Sequence, residues 1–151
     1  MSQSLLSIAQ AIAAQYVGIT ANGESIGIGP TALLPNVIPP RTVALLVFPP
    51  SATLGIIPSA QRDDVYDFPV KILRDPVDVP ARSTALYAWA EATRDVIYSH
   101  TSIGLGGVIF QALPQSMRME LDGETYGDHV YDVVEYSVRV YLNEIITNLG
   151  V

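Results

Sequence analysis

The chain has 151 residues, of which 49% are apolar and only 15% are charged, whereas charged residues make up about 25% of an average soluble domain. Its net charge is −7, and its few basic residues are spread from Arg41 to Arg139. This argues against a sequence-reading or single-strand nucleic-acid binder, because counterion release from a basic surface supplies most of the affinity of such proteins. The lack of cysteine excludes disulfides and thiolate metal sites.

The length predicts a single domain, residues 1–151, with one sizeable core. No apolar run approaches the ~20 residues that span a bilayer, because Pro and Gly interrupt each one, and the N-terminus lacks the positive region of a secretory signal. We therefore expect a soluble, non-exported protein with no membrane contact. Its charged residues are too few to cover a monomer, which indicates buried contacts with a partner.

The first predicted element is an amphipathic helix over residues 5–16. Ser2 or Ser4 can cap its start, and Gly18 can end it. The apolar residues follow the spacing of one helical face; they are Leu5, Ile8, Ala9, Ile12, Ala13 and Tyr16.

A Pro/Gly-rich extended segment follows at residues 18–60 and holds seven of the eleven prolines. Within it, only TVALLVF, residues 42–48, reads as a strand, and its unbroken apolar run predicts burial on both faces. Loops this long are usually functional or disordered, and disordered linkers are polar. Because this segment is rich in apolar residues, we interpret the remainder as arms that dock on a neighbour.

The next two elements are a strand and a helix. VYDFPVKIL, residues 65–73, alternates apolar and polar positions, and Pro69 predicts an edge strand or a bulge because proline cannot donate to a ladder. Residues 82–99 place Leu86 and Trp89 on an apolar stripe opposite charged residues, which predicts a second helix packed on the sheet.

The chain then predicts two short strands, 108–113 and 116–121, separated at Pro114. An eight-residue loop, DGETYGDH, leads to the final strand HVYDVVEYSVRVYLNEI, residues 129–145, which is far longer than the usual strand of about 5 to 6 residues. Together these elements predict an α+β fold: a mostly antiparallel sheet of four to five strands, two helices packed on one face, and a long C-terminal hairpin.

Catalytic and metal-binding patterns are scarce. His129 lies beside Asp128 and Asp132, which leaves a carboxylate–histidine ion site open as an alternative to a solvated histidine, although structural metal sites need three or four ligands. GLGG, residues 104–107, leaves a helix and opens a strand, which is the reverse of a dinucleotide fingerprint. We expect no catalytic residues, no cofactor and no metal, and hence no enzyme.

The final strand is apolar on both sides, and two helices in a domain of this size are too few to cover it. The side that carries Tyr131, Val133 and Tyr141 would be exposed unless another chain covered it. We therefore predict that this strand and its hairpin form part of a subunit interface. The alternative is a long twisted hairpin that curls over its own core.

The order of elements resembles a known family. An N-terminal amphipathic helix, a buried strand, the alternating DDVYDFPVKIL, the helix STALYAWAEATRDVIYS and closing strands ending in YDVVEYSVRVYLNEI are similar to the small tail terminator proteins of long-tailed bacteriophages. The resemblance spans residues 2–145. The Pro-rich stretch at residues 18–60 departs from the most compact members of that family.

The resemblance implies a virion protein, assembled in the host cytoplasm, that forms a homo-oligomeric ring, commonly a hexamer. The ring caps the tail tube, meets the head connector, and lets DNA pass through its lumen without specific binding. It also implies two sets of residues by position. A ring interface is expected at Tyr131, Val133, Arg139 and Tyr141, and a lumen or tube-facing loop at Asp122, Glu124 and Asp128.

Three alternatives stay open from the sequence. The first is a related protein of the phage neck, of the head-closure or head–tail adaptor type. A small enzyme or ligand-binding subunit would need a pocket near the GLGG turn. A cellular adaptor would fold on its partner and run as a monomer.

Overall fold

The computed structural model describes residues 4–54, 56–57, 61–76, 82–105 and 109–145 as a mixed α+β fold with a curled sheet and two helices. None of the described helices is long and apolar enough to cross a membrane. The elements are α1 Leu5–Ala14, β1 Thr20–Ala21, β2 Glu24–Thr31, β3 Val43–Val47, β4 Ser51–Thr53, β5 Ile56–Ile57, β6 Gln61–Arg74, α2 Arg82–Thr93, β7 Ile109–Tyr126 and β8 His129–Ile145.

The sheet is larger than the four to five strands predicted from the sequence. Its described strands follow the order β1, β2, β3, β6, β8, β7, and the short β4 and β5 also pair with β6. β6 pairs with β8 without interruption from Gln61 opposite Ile145 to Arg74 opposite Asp132. The ladders are antiparallel except for β2 and β3, which run parallel.

Both helices pack on one side of the sheet, here called the helix face. The Ser4 hydroxyl caps α1 by accepting the Ser7 amide at 3.1 Å, and the apolar stripe of α1 turns Ile8 and Ile12 fully inward. The main core on this face also includes Trp89 of α2 and alternate residues of the long strands. Those strand residues are Val43, Leu45, Val47, Tyr66, Phe68, Val70, Ile72, Val134, Tyr136, Val138, Val140 and Leu142.

The opposite side of the sheet, here called the second face, carries a smaller core. Its buried members are Ile38, Ala44, Leu46, Leu73, Tyr131 and Val133. Ile38 belongs to the Pro/Gly-rich segment, which therefore covers its own sheet at this point. This corrects the expectation that the segment is irregular apart from residues 42–48, since β2 is a strand of the chain's own sheet.

A polar anchor holds β2 against the helix face. Arg74, at the end of β6, donates from Nε to both carboxylate oxygens of Glu24 at 3.0 and 3.2 Å. The indole Nε1 of Trp89 donates to the same carboxylate at 3.2 Å. Arg74 is buried, and the pair compensates a charge that would be costly to leave alone in the core, although its Nη1 has no hydrogen-bond partner among the described residues.

Two local predictions are wrong. Pro69 lies inside β6, which is paired on both sides; its carbonyl accepts the Phe48 amide on the β3 side. Its missing N–H points to the same side, at the break between β3 and β4, so no bond to β8 is lost. The prediction for the hairpin is also wrong: the two short strands expected at 108–113 and 116–121 and the eight-residue loop after them are replaced by one strand, β7, which runs through Pro114 to Tyr126 with register shifts. Gly127–Asp128 then turns the chain into β8.

Candidate functional site

Cross-strand ion pairs cover the middle of the second face. The alternation of β6, β7 and β8 brings cations and carboxylates side by side, a stabilising arrangement on a sheet. Hydrogen bonding to Glu135 raises the pKa of Arg118 above its ordinary value. The cross-strand pairs on this face at 3.0 Å or less are Arg139–Asp67 at 2.9 Å, Lys71–Glu124 at 3.0 Å and Arg118–Glu135 at 2.9 Å.

A second polar cluster links the start of α2 to the hairpin. Arg82 donates to both oxygens of the fully buried Asp132, at 3.1 and 2.7 Å, and to Asp122 at 2.8 Å. The backbone amide of Asp122 also donates to Asp132 at 2.9 Å. The hydrogen bond to Asp132 is the largest of the effects that raise the pKa of Arg82. This cluster holds the bulge between Glu120 and Glu124 against α2.

The residues predicted for the ring interface divide into two pairs. Tyr131 and Val133 are 3% and 0% exposed in the single chain because they pack in the smaller core with Ile38. The expectation that a second chain must cover them is therefore wrong. Arg139 and Tyr141 are half-buried on the same side of β8. Their role in a subunit contact stays a prediction.

The residues predicted for an acidic loop lie in the hairpin instead. Asp122 is bonded to Arg82 and Glu124 to Lys71 and Arg118. Asp128 is exposed in the turn between β7 and β8. The structure thus neutralises two of the three carboxylates by ion pairing within the chain. A lumen-facing role for them stays a prediction.

A cleft lies beside this turn and is here called the Asp75 cleft. It has a volume of about 310 Å³ and is lined by residues 36–38, Pro40, Asp75, residues 126–129 and Tyr131. The Asp75 side chain is 2% exposed and accepts the Arg41 amide at 3.0 Å, while its other oxygen lies 3.4 Å from His129 Nε2. The Tyr126 hydroxyl donates to the Pro35 carbonyl and so fixes one wall.

The histidine–carboxylate ion site that the sequence left open is not assembled. His129 and Asp132 lie on opposite sides of β8, because neighbouring strand positions alternate, and Asp132 is engaged by Arg82. Among the described residues, no group of three or more histidines and carboxylates could hold a metal ion. Of the GLGG stretch, residues 106 and 107 lie outside the described residues.

Exposed apolar side chains are concentrated in the described residues between 4 and 57, whereas the sequence predicted apolar docking arms only within residues 18–60. The first 60 residues contain only two of the 23 charged residues, Glu24 and Arg41, and Glu24 is paired with Arg74. This stretch nevertheless exposes large apolar side chains, and an apolar groove of about 170 Å³ lies between α1 and residues 47–50. The exposed side chains are Leu5, Leu6, Val17, Leu33, Leu34, Val37 and Leu54. Counting charges in each half of the sequence could have found this surface.

Comparison with models of known protein families finds no match for this chain, and no curated protein matches it.

Proposed function

We propose that the protein is a structural virion protein, a ring-forming tail terminator of a long-tailed bacteriophage. In this role it caps the tail tube, joins it to the head connector, and lets DNA pass through its lumen. The identity of the assembly rests on the resemblance in element order: helix, buried strand, alternating strand, helix and closing antiparallel strands.

The observation that carries the proposal is the set of exposed apolar side chains carried by the described residues between 4 and 57. Leu6, Leu33 and Val37 are 50%, 63% and 74% exposed in a stretch with two charged residues. Interface cores are depleted of charge and more apolar than the rest of a protein surface. Burial of this surface between neighbours or against the tube relieves that exposure.

Arg139 and Tyr141 are the proposed ring contacts on the second face, where their side chains are half-buried. Tyr131 and Val133 lie beneath Ile38 and support the contact from inside. The hairpin end with Asp122, Glu124 and Asp128 is proposed to face the lumen or the tube. A net charge of −7 per subunit suits a channel that DNA passes without adhering, because like charges repel.

The first test is the solution mass, measured by light scattering over a concentration series, with electron microscopy of any discrete species. A closed species near six subunits with a central opening supports the proposal. A monomer that neither associates alone nor adds to the ends of purified tail tubes contradicts it.

A head-closure or head–tail adaptor protein is the second candidate, because the same uncharged surface also suits a contact with the connector. Pull-down with purified tail tubes and with purified connectors separates the two, since a terminator binds tubes in the absence of heads. The ligand-binding alternative is favoured by the Asp75 cleft alone; thermal stabilisation by a small-molecule panel tests it.

A further inference from the structure

The Asp75 cleft combines negative charge with aromatic walls. One oxygen of Asp75 accepts the Arg41 amide, and the contact of the other within the described part of the chain is with His129 Nε2 at 3.4 Å, which is long for a hydrogen bond. Asp128 adds a second carboxylate at the rim, and Tyr126 and Tyr131 line the walls. Arg41 supplies its amide to the floor, while its side chain is exposed.

These features match the chemistry of a guanidinium group. A guanidinium pairs with carboxylates through parallel N–H donors and stacks on aromatic rings. The cleft volume of about 310 Å³ is at the lower end of the roughly 300–1,000 Å³ of ligand sites. It therefore suits one inserted side chain rather than an extended cofactor.

A suitable arginine lies on the other side of the sheet. Arg94 follows α2, its side chain is 61% exposed, and its ion pair within the described chain is with the adjacent Asp95 at 3.5 Å. Tyr98, one turn later, is 57% exposed. Arginine and tyrosine are the residue types enriched at binding hot spots. By contrast, the arginines at 74, 82, 118 and 139 contact carboxylates of other elements.

We propose that Arg94 and Tyr98 of one copy dock in the Asp75 cleft of the next copy, with the Arg94 guanidinium between Asp75 and Asp128. The inference rests on the proposed ring and names one of its contacts. Charge complementarity supports a second copy as the occupant. Because α2 packs on the helix face and the cleft belongs to the second face, the contact is head-to-tail, the kind that closes into rings. Asp128 then lies at a subunit boundary instead of on a free lumen surface.

A charge-reversal cycle on the full chain tests this contact. The variants are Arg94→Glu, Asp128→Lys and the two combined, with the dissociation constant of the oligomer measured by sedimentation equilibrium at low salt. Each single change places like charges together, and we expect it to raise the dissociation constant at least ~10-fold. The combined variant restores opposite charges between positions 94 and 128 at the wild-type net charge of −7, while the glutamate at position 94 still faces the unchanged carboxylate of Asp75. It should therefore bind more tightly than either single variant, by at least about threefold, and more weakly than wild type.

Ser83→Glu is the matched control, since Ser83 is exposed in the first turn of α2, far along the helix from Arg94. It changes the charge of the same helix and should leave the dissociation constant unchanged. Circular dichroism confirms that each variant is folded, and Asp128 sits in an exposed turn where a lysine fits. If the single variants assemble like wild type, or the combined variant binds no more tightly than either of them, this contact is wrong.

The same experiment separates this contact from the ring itself. Wild-type rings that persist in both single variants overturn the Arg94 contact and leave the proposed function standing. A wild-type chain that stays monomeric at every concentration and does not add to tail tubes overturns both.

Discussion

At the scale of single residues, the buried carboxylate of Asp132 is the most constrained charge in the hairpin. It accepts two bonds from Arg82 and one from the Asp122 amide while fully buried. Asparagine at this position would present an uncharged amide to the Arg82 and Asp122 donors in a buried site. Removal of one charge of a buried ion pair is strongly destabilising. We expect Asp132→Asn to lower the free energy of unfolding by about 3 kcal/mol in urea titrations.

Asp122→Asn makes the same chemical change at the exposed end of the cluster. The side chain of Asp122 is 58% exposed, and asparagine tolerates its positive φ of 53°. The expected loss is under about 1 kcal/mol. Equal losses in the two variants would show that burial of Asp132 does not control the stability of this cluster.

Buried tyrosines make stability fall at alkaline pH. Burial raises the pKa of Tyr16 and of Tyr136 above the ordinary value of 10.0. Above pH 10 the unfolded chain therefore releases protons that the folded chain keeps, and the free energy of unfolding decreases with pH. Tyr16→Phe removes one such group and should reduce the slope above pH 10 by up to ~1.4 kcal/mol per pH unit. Urea titrations between pH 9 and 11 measure it; an unchanged slope would contradict this account.

At the scale of elements, β2 depends on a glycine that lets two backbones approach. A Cβ on Gly29 would lie 2.2 Å from the Leu45 carbonyl oxygen, and its φ is +93°. Gly29→Ala therefore combines a clash with a strained backbone and should cost about 3 kcal/mol or more. The control is Gly23→Ala, where φ is +70° but nothing lies within 4 Å, and the expected cost is about 1 kcal/mol. Urea titration of both variants isolates the clash, and equal costs would disprove it.

The same strand shows where sequence patterns fail. Helix α1 and the doubly buried β3 were predicted within two residues of their observed bounds. The helical spacing of apolar residues in α1 and the apolar run of β3 are both unbroken. In β2, Ile26 packs against the main core and Ile28 against the smaller core on the other face, because a register shift lies between them. A glycine follows each of them, and glycines usually indicate loops. Pro69 led to the opposite error, because it predicted an edge strand or a bulge where the chain forms an inner strand. Its missing N–H costs no ladder bond only because it lies at the break between β3 and β4. Such pairings are long-range and leave no local pattern.

At the scale of the whole molecule, the candidate site could not be predicted from the sequence, because its residues also meet through long-range strand pairing. Asp75 and His129 are 54 positions apart and meet only because β6 and β8 pair in one register. Tyr131 and Val133 were predicted to share one side of β8, and they do. Their cover, however, comes from Ile38, in a segment that was interpreted as arms docking on a neighbour. The composition did indicate too few charged residues for the surface of a monomer. That nearly all of these charged residues lie in residues 61–151 is seen only when charges are counted region by region.

The salt dependence of assembly tests whether charge pairing or apolar burial dominates the subunit boundary. The variant carrying both Arg94→Gln and Asp128→Asn keeps the net charge of −7, so its long-range repulsion equals that of wild type. At 50 mM NaCl we expect wild type to associate more tightly. The Debye length falls to about 3 Å at 1 M salt, so the two dissociation constants should converge there. A ratio that stays constant from 50 mM to 1 M NaCl in sedimentation equilibrium would mean that Arg94 and Asp128 do not meet, and that the exposed apolar side chains of the described residues between 4 and 57 form the boundary instead.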